Sequence, residues 1–220
     1  MKIIAKVISF LVTVIIPFIL IMTAIRILIN PFFLDYEYNL PQFPADPYGF
    51  STEDRLKWGK ISMEYLVNNE PDDFLGTLTF EDGSPLYNER ESSHMLDVRI
   101  LVKSALKAWY ILLILLAVIG IAAWKTGRLN DFWKAIARGG WLTLGIILLV
   151  IASTFIDFNS LFTAFHGLFF EGDTWLFFAD DTLIRLYPLK LWSDAFIFMG
   201  IFTLVGALLC IFAIGRLSEK

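Results

Sequence analysis

The chain is poor in the residues that most enzymes use. Its 220 residues contain one cysteine, Cys210, and two histidines, His94 and His166. A single cysteine excludes a disulfide within the chain, and its count does not report the compartment. No nucleophile elbow, Walker loop, glycine fingerprint or zinc signature occurs. No His-x-x-x-His or Cys-x-x-Cys spacing supports a metal site. Charge is also nearly missing from four long runs: residues 3–29, 108–124, 141–158 and 192–214. Lys6, Arg26, Asp157 and Asp194 are the exceptions, each close to an end. With no charge near the middle of a run, an ion pathway has nothing to carry it, which argues against a transporter or channel.

What fills the chain instead is apolar. Hydrophobic residues make up 57% of it, and the mean hydropathy of +0.65 is too high for a soluble domain of this size. A helix crossing the roughly 30 Å hydrocarbon core needs about 20 mainly apolar residues, which each run supplies or approaches. The first run is about twice the usual length of a signal-peptide core, and no clear small-x-small cleavage site follows it. Asn30-Pro31-Phe32-Phe33 after it reads as a helix stop with an aromatic interface belt.

Positive residues mark the cytosolic side. Lys2 and Lys6 lie at the start of the first span. Lys125, Arg128, Lys134 and Arg138 lie between the second and third, and Arg216 and Lys220 follow the fourth. Both termini are therefore expected in the cytosol, against the opposite pull of Arg99, Lys103, Lys107, Arg185 and Lys190. The long segment left outside carries 14 acidic and 4 basic residues between Asn30 and Asp97, which excludes nucleic acid or an anionic surface as a partner held by bulk charge.

The expected fold is all-α and transmembrane: a four-helix membrane domain with a small mixed α/β extracytoplasmic cap. The expected division is transmembrane helix 1 over 1–29, the cap over 30–97 and transmembrane helix 2 over 98–124. A cytoplasmic loop over 125–138 and transmembrane helix 3 over 139–158 follow. An aromatic interfacial segment over 159–191, transmembrane helix 4 over 192–215 and a cytoplasmic tail over 216–220 complete the chain. Inside the cap, Ser51 with Asp54 three residues on reads as a helix start. Leu56, Ile61, Tyr65 and Leu66 give that helix an apolar stripe ending near Asn69. Leu75 to Phe80 reads as a strand, Glu81-Asp82-Gly83-Ser84 as a turn and Leu86-Tyr87 as the returning strand. A further helix starts near Ser92-Ser93 and runs into the second span.

Each histidine lies beside the outer end of a span. Histidine suits proton transfer near neutral pH, and a pair can divide base from acid. The alternative is that each imidazole only bonds a carbonyl or water. Asp97, three residues after His94, either orients that imidazole or faces the helix dipole. Arg99, Lys103 and Lys107 form one cationic stripe, suited to lipid phosphate, to a carbonyl oxygen or to snorkelling. Tyr187 is either a donor to an ester oxygen or an interface anchor.

The string Phe165-His166-Gly167-Leu168-Phe169-Phe170, continued by Trp175, Phe177, Leu183-Ile184, Leu186-Tyr187-Pro188 and Trp192, resembles a bacterial membrane family. His94-Met95-Leu96-Asp97-Val98-Arg99 looks like its second motif. The family is that of the lipoprotein intramolecular transacylases, and the likeness covers nearly the whole chain.

This resemblance implies a substrate that is a diacylglyceryl lipoprotein with a free α-amine on its N-terminal cysteine. It implies transfer of the sn-2 acyl chain to that amine, giving a lyso-form lipoprotein, in a bacterial cell membrane and without cofactor or metal. The histidines would lie in a cleft between the helices and the cap. His94 and His166 would be the base–acid pair, with Asp97 orienting one imidazole. Arg99 or Tyr187 would stabilise an oxyanion, and Phe165, Phe169 and Trp175 would line the acyl path. The other readings are a non-enzymatic adaptor with an acidic cap and a lipid hydrolase using water as acceptor.

Overall fold

A computed structural model describes residues 2–218; Lys220, one of the charges used for orientation, lies outside the described residues. Eight α-helices are found among them: α1 Lys2–Leu28, α2 Pro31–Tyr38, α3 Thr52–Tyr65, α4 Glu89–Lys125, α5 Leu129–Ile156, α6 Phe158–Phe169, α7 Thr182–Leu186 and α8 Leu189–Leu208. A π-helical stretch, Leu209–Ile214, continues α8. Four helical stretches are long and apolar enough to cross a membrane: Ile3–Leu28, Glu89–Lys125, Leu129–Ile156 and Leu189–Leu217. The protein is a multi-pass membrane protein.

The chain divides into two compact units. The first gathers Met1–Ile27, Ala105–Ile156 and Phe196–Lys220. Its core is Val12 and Ile16 of α1, Phe132, Ala135 and Ile136 of α5, and Cys210. Glycines set the spacing. A Cβ at Gly139 would lie 2.5 Å from the Cβ of Ile16 and 2.9 Å from the Thr13 carbonyl oxygen. At the adjacent Gly140 it would lie 2.9 Å from the Ala207 carbonyl oxygen. The backbone of α5 therefore touches two neighbours at consecutive residues, as small residues allow between membrane helices. The Thr13 hydroxyl lies 3.2 Å from the Ala135 carbonyl across the same contact. Large side chains such as Phe10, Trp124, Leu149 and Phe155 stay exposed, as lipid-facing residues do.

The second unit gathers Leu28–Ser104 and Asp157–Ala195. Helix α2 begins directly after α1. Asn30 caps it by accepting from the Phe32 N–H, and Pro31 occupies its first turn, where no N–H is needed. The expected helix stop is thus also a helix start. Helix α3 opens on a capping box: Ser51 accepts from the Asp54 N–H, and the Asp54 carboxylate accepts from the Ser51 N–H.

The mixed α/β cap is not found, and the described residues contain no strand. Phe74–Thr77 form a 3-10 turn, and only Thr79 and Pro85 make an isolated bridge. Pro85 has no N–H to give a ladder, and Gly83 turns the chain with φ of 81°. The pairing therefore does not propagate into a sheet.

Buried polar side chains tie this unit together. Arg55 donates to the carbonyls of Arg185 and Pro44, at 2.8 Å each, and lies over the Tyr38 ring. Arg185 pairs with Asp46 at 3.0 Å and packs on Phe50. Glu37 is fully buried, and desolvation followed by Asp194 pushes its carboxyl up to about 7. Helix α5 starts at Leu129, so residues 129–138, expected as a loop, are helical. Helix α4 starts at Glu89, a turn before the expected Ser92.

Candidate active site

His94 lies two turns into α4. The helix has 37 residues, about 55 Å at 1.5 Å per residue, far more than a bilayer core requires. Its apolar stretch is the later part; Glu89, Arg90, Glu91 and Asp97 surround His94 with charge in the sequence and place it outside the membrane-spanning segment. The Glu91 carboxylate fixes this first part of α4 by accepting from the N–H of Asn88 at 2.8 Å and of Leu183 at 2.7 Å. His166 lies near the end of α6. That helix is capped by Asp157, which accepts from the Ser160 N–H at 3.1 Å.

The two imidazoles meet within the second unit. Their ring centres are 6.3 Å apart and their planes differ by 25°. They do not bond each other. Phe170 and Phe177 approach the His94 ring edge-on, at 4.8 and 5.3 Å. Phe162 lies 4.0 Å from the His166 ring and Trp175 lies 4.9 Å from it. The histidines are only 7% and 9% exposed, so the aromatic wall replaces their water.

Loss of water disfavours the charged form. Burial, followed by the nearby His166, lowers His94 to about 4. Burial also lowers His166, opposed by the carbonyl of Phe162. Nδ1 of His166 lies 2.8 Å from that carbonyl, which can only accept, so Nδ1 carries the proton and Nε2 presents its lone pair. Nδ1 of His94 is buried without a hydrogen-bond partner among the described residues, and so is Nε1 of Trp175. An unpaired buried polar atom costs about 1–3 kcal/mol, which makes both atoms notable.

The segment bearing Trp175 and Phe177 is tethered at its rim. Gly172 turns it with φ of 60°. Arg90 donates to the Asp173 carbonyl and lies 3.3 Å from its carboxylate. Asn88 donates to Asp181 at 3.0 Å.

The supporting residues expected from the sequence are placed elsewhere. Asp97 is exposed and bonds neither imidazole. Arg99 donates to the carbonyls of Glu70 at 2.5 Å and Asn68 at 3.3 Å, and lies over the Tyr65 ring. Tyr187 donates to the Gly59 carbonyl at 2.5 Å. Tyr187 and Nη2 of Arg99 thus hold the fold together, while Nη1 of Arg99 is buried without a hydrogen-bond partner among the described residues. Phe165 and Phe169 pack on each other at 5.0 Å, and both remain exposed. Phe162, Phe170 and Phe177 were missed as site residues. The dense aromatic text announced such a wall without telling which rings face inward.

Comparison with known proteins agrees with this architecture. An uncharacterised protein of Aquifex aeolicus (strain VF5) is 30% identical over 217 residues, covering 98% of this chain and 96% of that protein. The in meso structure of the membrane integral lipoprotein intramolecular transacylase Lit from Bacillus cereus matches with a TM-score of 0.83 at 21% identity, over 100% of this chain and 98% of that one. A histidine-substituted form of the same protein matches with a TM-score of 0.69 at 21% identity, over 99% and 94%. The family model for the lipoprotein intramolecular transacylase Lit matches residues 10–192. The chain belongs to the lipoprotein intramolecular transacylase Lit family, and with it to the membrane acyltransferases.

Proposed function

We propose that this protein moves the sn-2 acyl chain of a diacylglyceryl lipoprotein onto the α-amine of its N-terminal cysteine, with His94 and His166 carrying the proton. The observation that carries this reading is the pair of buried imidazoles, with ring centres 6.3 Å apart, inside an aromatic wall.

Donor ester and acceptor amine belong to one molecule, so the substrate supplies most of the proximity. No serine or cysteine nucleophile is needed. The neutral amine attacks the ester carbonyl, and a C–N bond forms as the C–O bond to glycerol breaks. The amine must lose a proton and the glycerol oxygen must gain one. It is the same proton, so the pair has only to carry it across the site. Nε2 of His166 is poised to take it, because Nδ1 is anchored on the Phe162 carbonyl. The imidazolium so formed relays the proton through the bound substrate to His94, which hands it to the leaving oxygen, so that both imidazoles end neutral. Exclusion of water protects the ester from hydrolysis, which favours transfer over a hydrolase. The exposed faces of Phe165 and Phe169, together with the ring of Trp175, suit an acyl chain arriving from lipid. The charge distribution supports a cytosolic position for both termini and an outer one for the acidic segment with both histidines.

A synthetic lipopeptide with different chains at sn-1 and sn-2 tests the reaction. The sn-2 chain is expected on the cysteine amine at unchanged total mass. The sn-1 chain there contradicts the regiochemistry, and loss of one chain's mass identifies a hydrolase.

The same assay reports the proton inventory. Both imidazoles have lowered pKa values, so each takes up its proton only below the ordinary histidine value of about 6.5, His94 near 4. The α-amine, with a pKa of about 8, is the group that protonates first. The acid limb of kcat/KM is expected to begin near 8 and to fall tenfold per pH unit. No second inflection is expected at about 6.5. An inflection there contradicts neutral, desolvated histidines.

A further inference from the structure

We infer that Trp175 is a catalytic residue: its indole N–H donates a hydrogen bond to the carbonyl oxygen of the scissile ester as that oxygen becomes an oxyanion. The inference rests on the histidine-pair reading above and adds the group that reading lacks.

Attack on an ester carbonyl builds negative charge on its oxygen. In an enclosure this dry, that charge needs a donor already in position. Neutral histidines occupied with the proton transfer do not supply a fixed one. The cationic and phenolic donors nearest in the sequence are engaged elsewhere. Arg99 holds the Asn68 and Glu70 carbonyls, Tyr187 holds the Gly59 carbonyl, and Arg90 holds the Asp173 carbonyl. Thr182 donates to the Leu86 carbonyl. Nη1 of Arg99 is also buried without a partner among the described residues, but that guanidinium lies over the Tyr65 ring; Trp175 differs from all of these in packing against His166. Its ring packs 4.9 Å from the His166 ring, centre to centre. That nitrogen is buried and bonds to nothing among the described residues.

An indole N–H can donate but cannot accept, and it carries no charge. It therefore suits a site that must welcome an oxyanion without binding the lipid phosphates that crowd a membrane surface. The segment that carries it is held to the start of α4 by Arg90–Asp173 and Asn88–Asp181, and α4 carries His94. One tethered segment therefore sets the donor relative to both imidazoles. Nδ1 of His94 is likewise buried and unpartnered among the described residues, so one nitrogen of the proton-carrying pair is also idle.

The test separates the N–H from the ring. Trp175→Phe removes the donor and some packing. Replacement of Trp175 by benzothienylalanine, in which sulfur stands where the N–H was, keeps the shape. Both are assayed as full-length protein in detergent or vesicles with the two-chain lipopeptide. Both are expected to lose roughly a hundredfold in kcat, with KM changed by less than about threefold. Wild-type kcat in the benzothienyl variant overturns the inference whatever Trp175→Phe does, because the ring alone then suffices. A loss confined to KM also overturns it, because Trp175 then only binds the acyl chain. If the wild-type protein itself leaves the acyl chain on glycerol, the transacylase reading has failed instead.

Discussion

His94→Ala or His166→Ala is expected to abolish transacylation, with a loss of at least about a hundredfold to a thousandfold, while the protein still inserts and folds. General acid–base catalysis is worth about 10²–10⁴-fold, and here the two residues share one proton path. Breaking that path at either end stops the transfer. The double variant is therefore expected to be no worse than about the weaker single variant, as for residues that act as a unit. Full activity in either single variant contradicts the mechanism. Folding is expected to survive because neither imidazole bonds a distant backbone group. Among the described residues, His166 bonds only the carbonyl four residues back in its own helix, and Nδ1 of His94 has no hydrogen-bond partner. Thermal unfolding in detergent, run beside the activity assay, separates lost chemistry from lost structure.

Gly139→Leu is expected to leave no folded protein, and Gly139→Ala to lower Tm by several degrees. The added Cβ would fall 2.5 Å from the Cβ of Ile16, a separation real side chains do not reach. One helix must move, and α1 would then lose the contact between Thr13 and the Ala135 carbonyl together with the packing of Val12 and Ile16. Overpacking of this kind costs about 1–3 kcal/mol for a methyl group. For a chain of this length that is about 3–10 °C. Gly145 supplies the control. It lies on the same helix, and a Cβ there meets nothing within 4 Å. Gly145→Ala is expected to keep the wild-type Tm. Equal effects at both positions contradict the close-packing account.

Local signals in the sequence were sufficient where the physics is local. Four apolar runs announced four long helices, because a bilayer demands length and hydrophobicity and little else. The Ser51–Asp54 capping box was legible because both of its bonds close within three residues. The strand over 75–80 failed for the opposite reason. Its alternation looked extended, but a sheet depends on a partner, and Pro85 withheld one. Asn30-Pro31 carried a double meaning, ending α1 and capping α2.

The site divides the same way. The sequence pointed to both histidines because they were the only two, yet their meeting depends on α6 returning to the start of α4. Asp97 has helical spacing from His94, but its side chain faces solvent. Arg99 and Tyr187 had suitable chemistry, but their partners are backbone carbonyls far along the chain, at Asn68, Glu70 and Gly59. No short-range pattern reveals such partners. The lowered histidine pKa values come from rings of Phe162, Phe170, Phe177 and Trp175 that no spacing rule selects from so aromatic a segment.

The most direct measurement is mass spectrometry of a reporter lipoprotein's N-terminal peptide, from a bacterial host lacking other N-acylating enzymes. It is made with this protein, with its His94→Ala variant and with neither. The wild-type protein is predicted to move one acyl chain to the cysteine amine at unchanged total mass, and the variant to leave both chains on glycerol. Two ester chains retained with the wild-type protein, or N-acylation by the variant, contradict histidine-dependent intramolecular transfer.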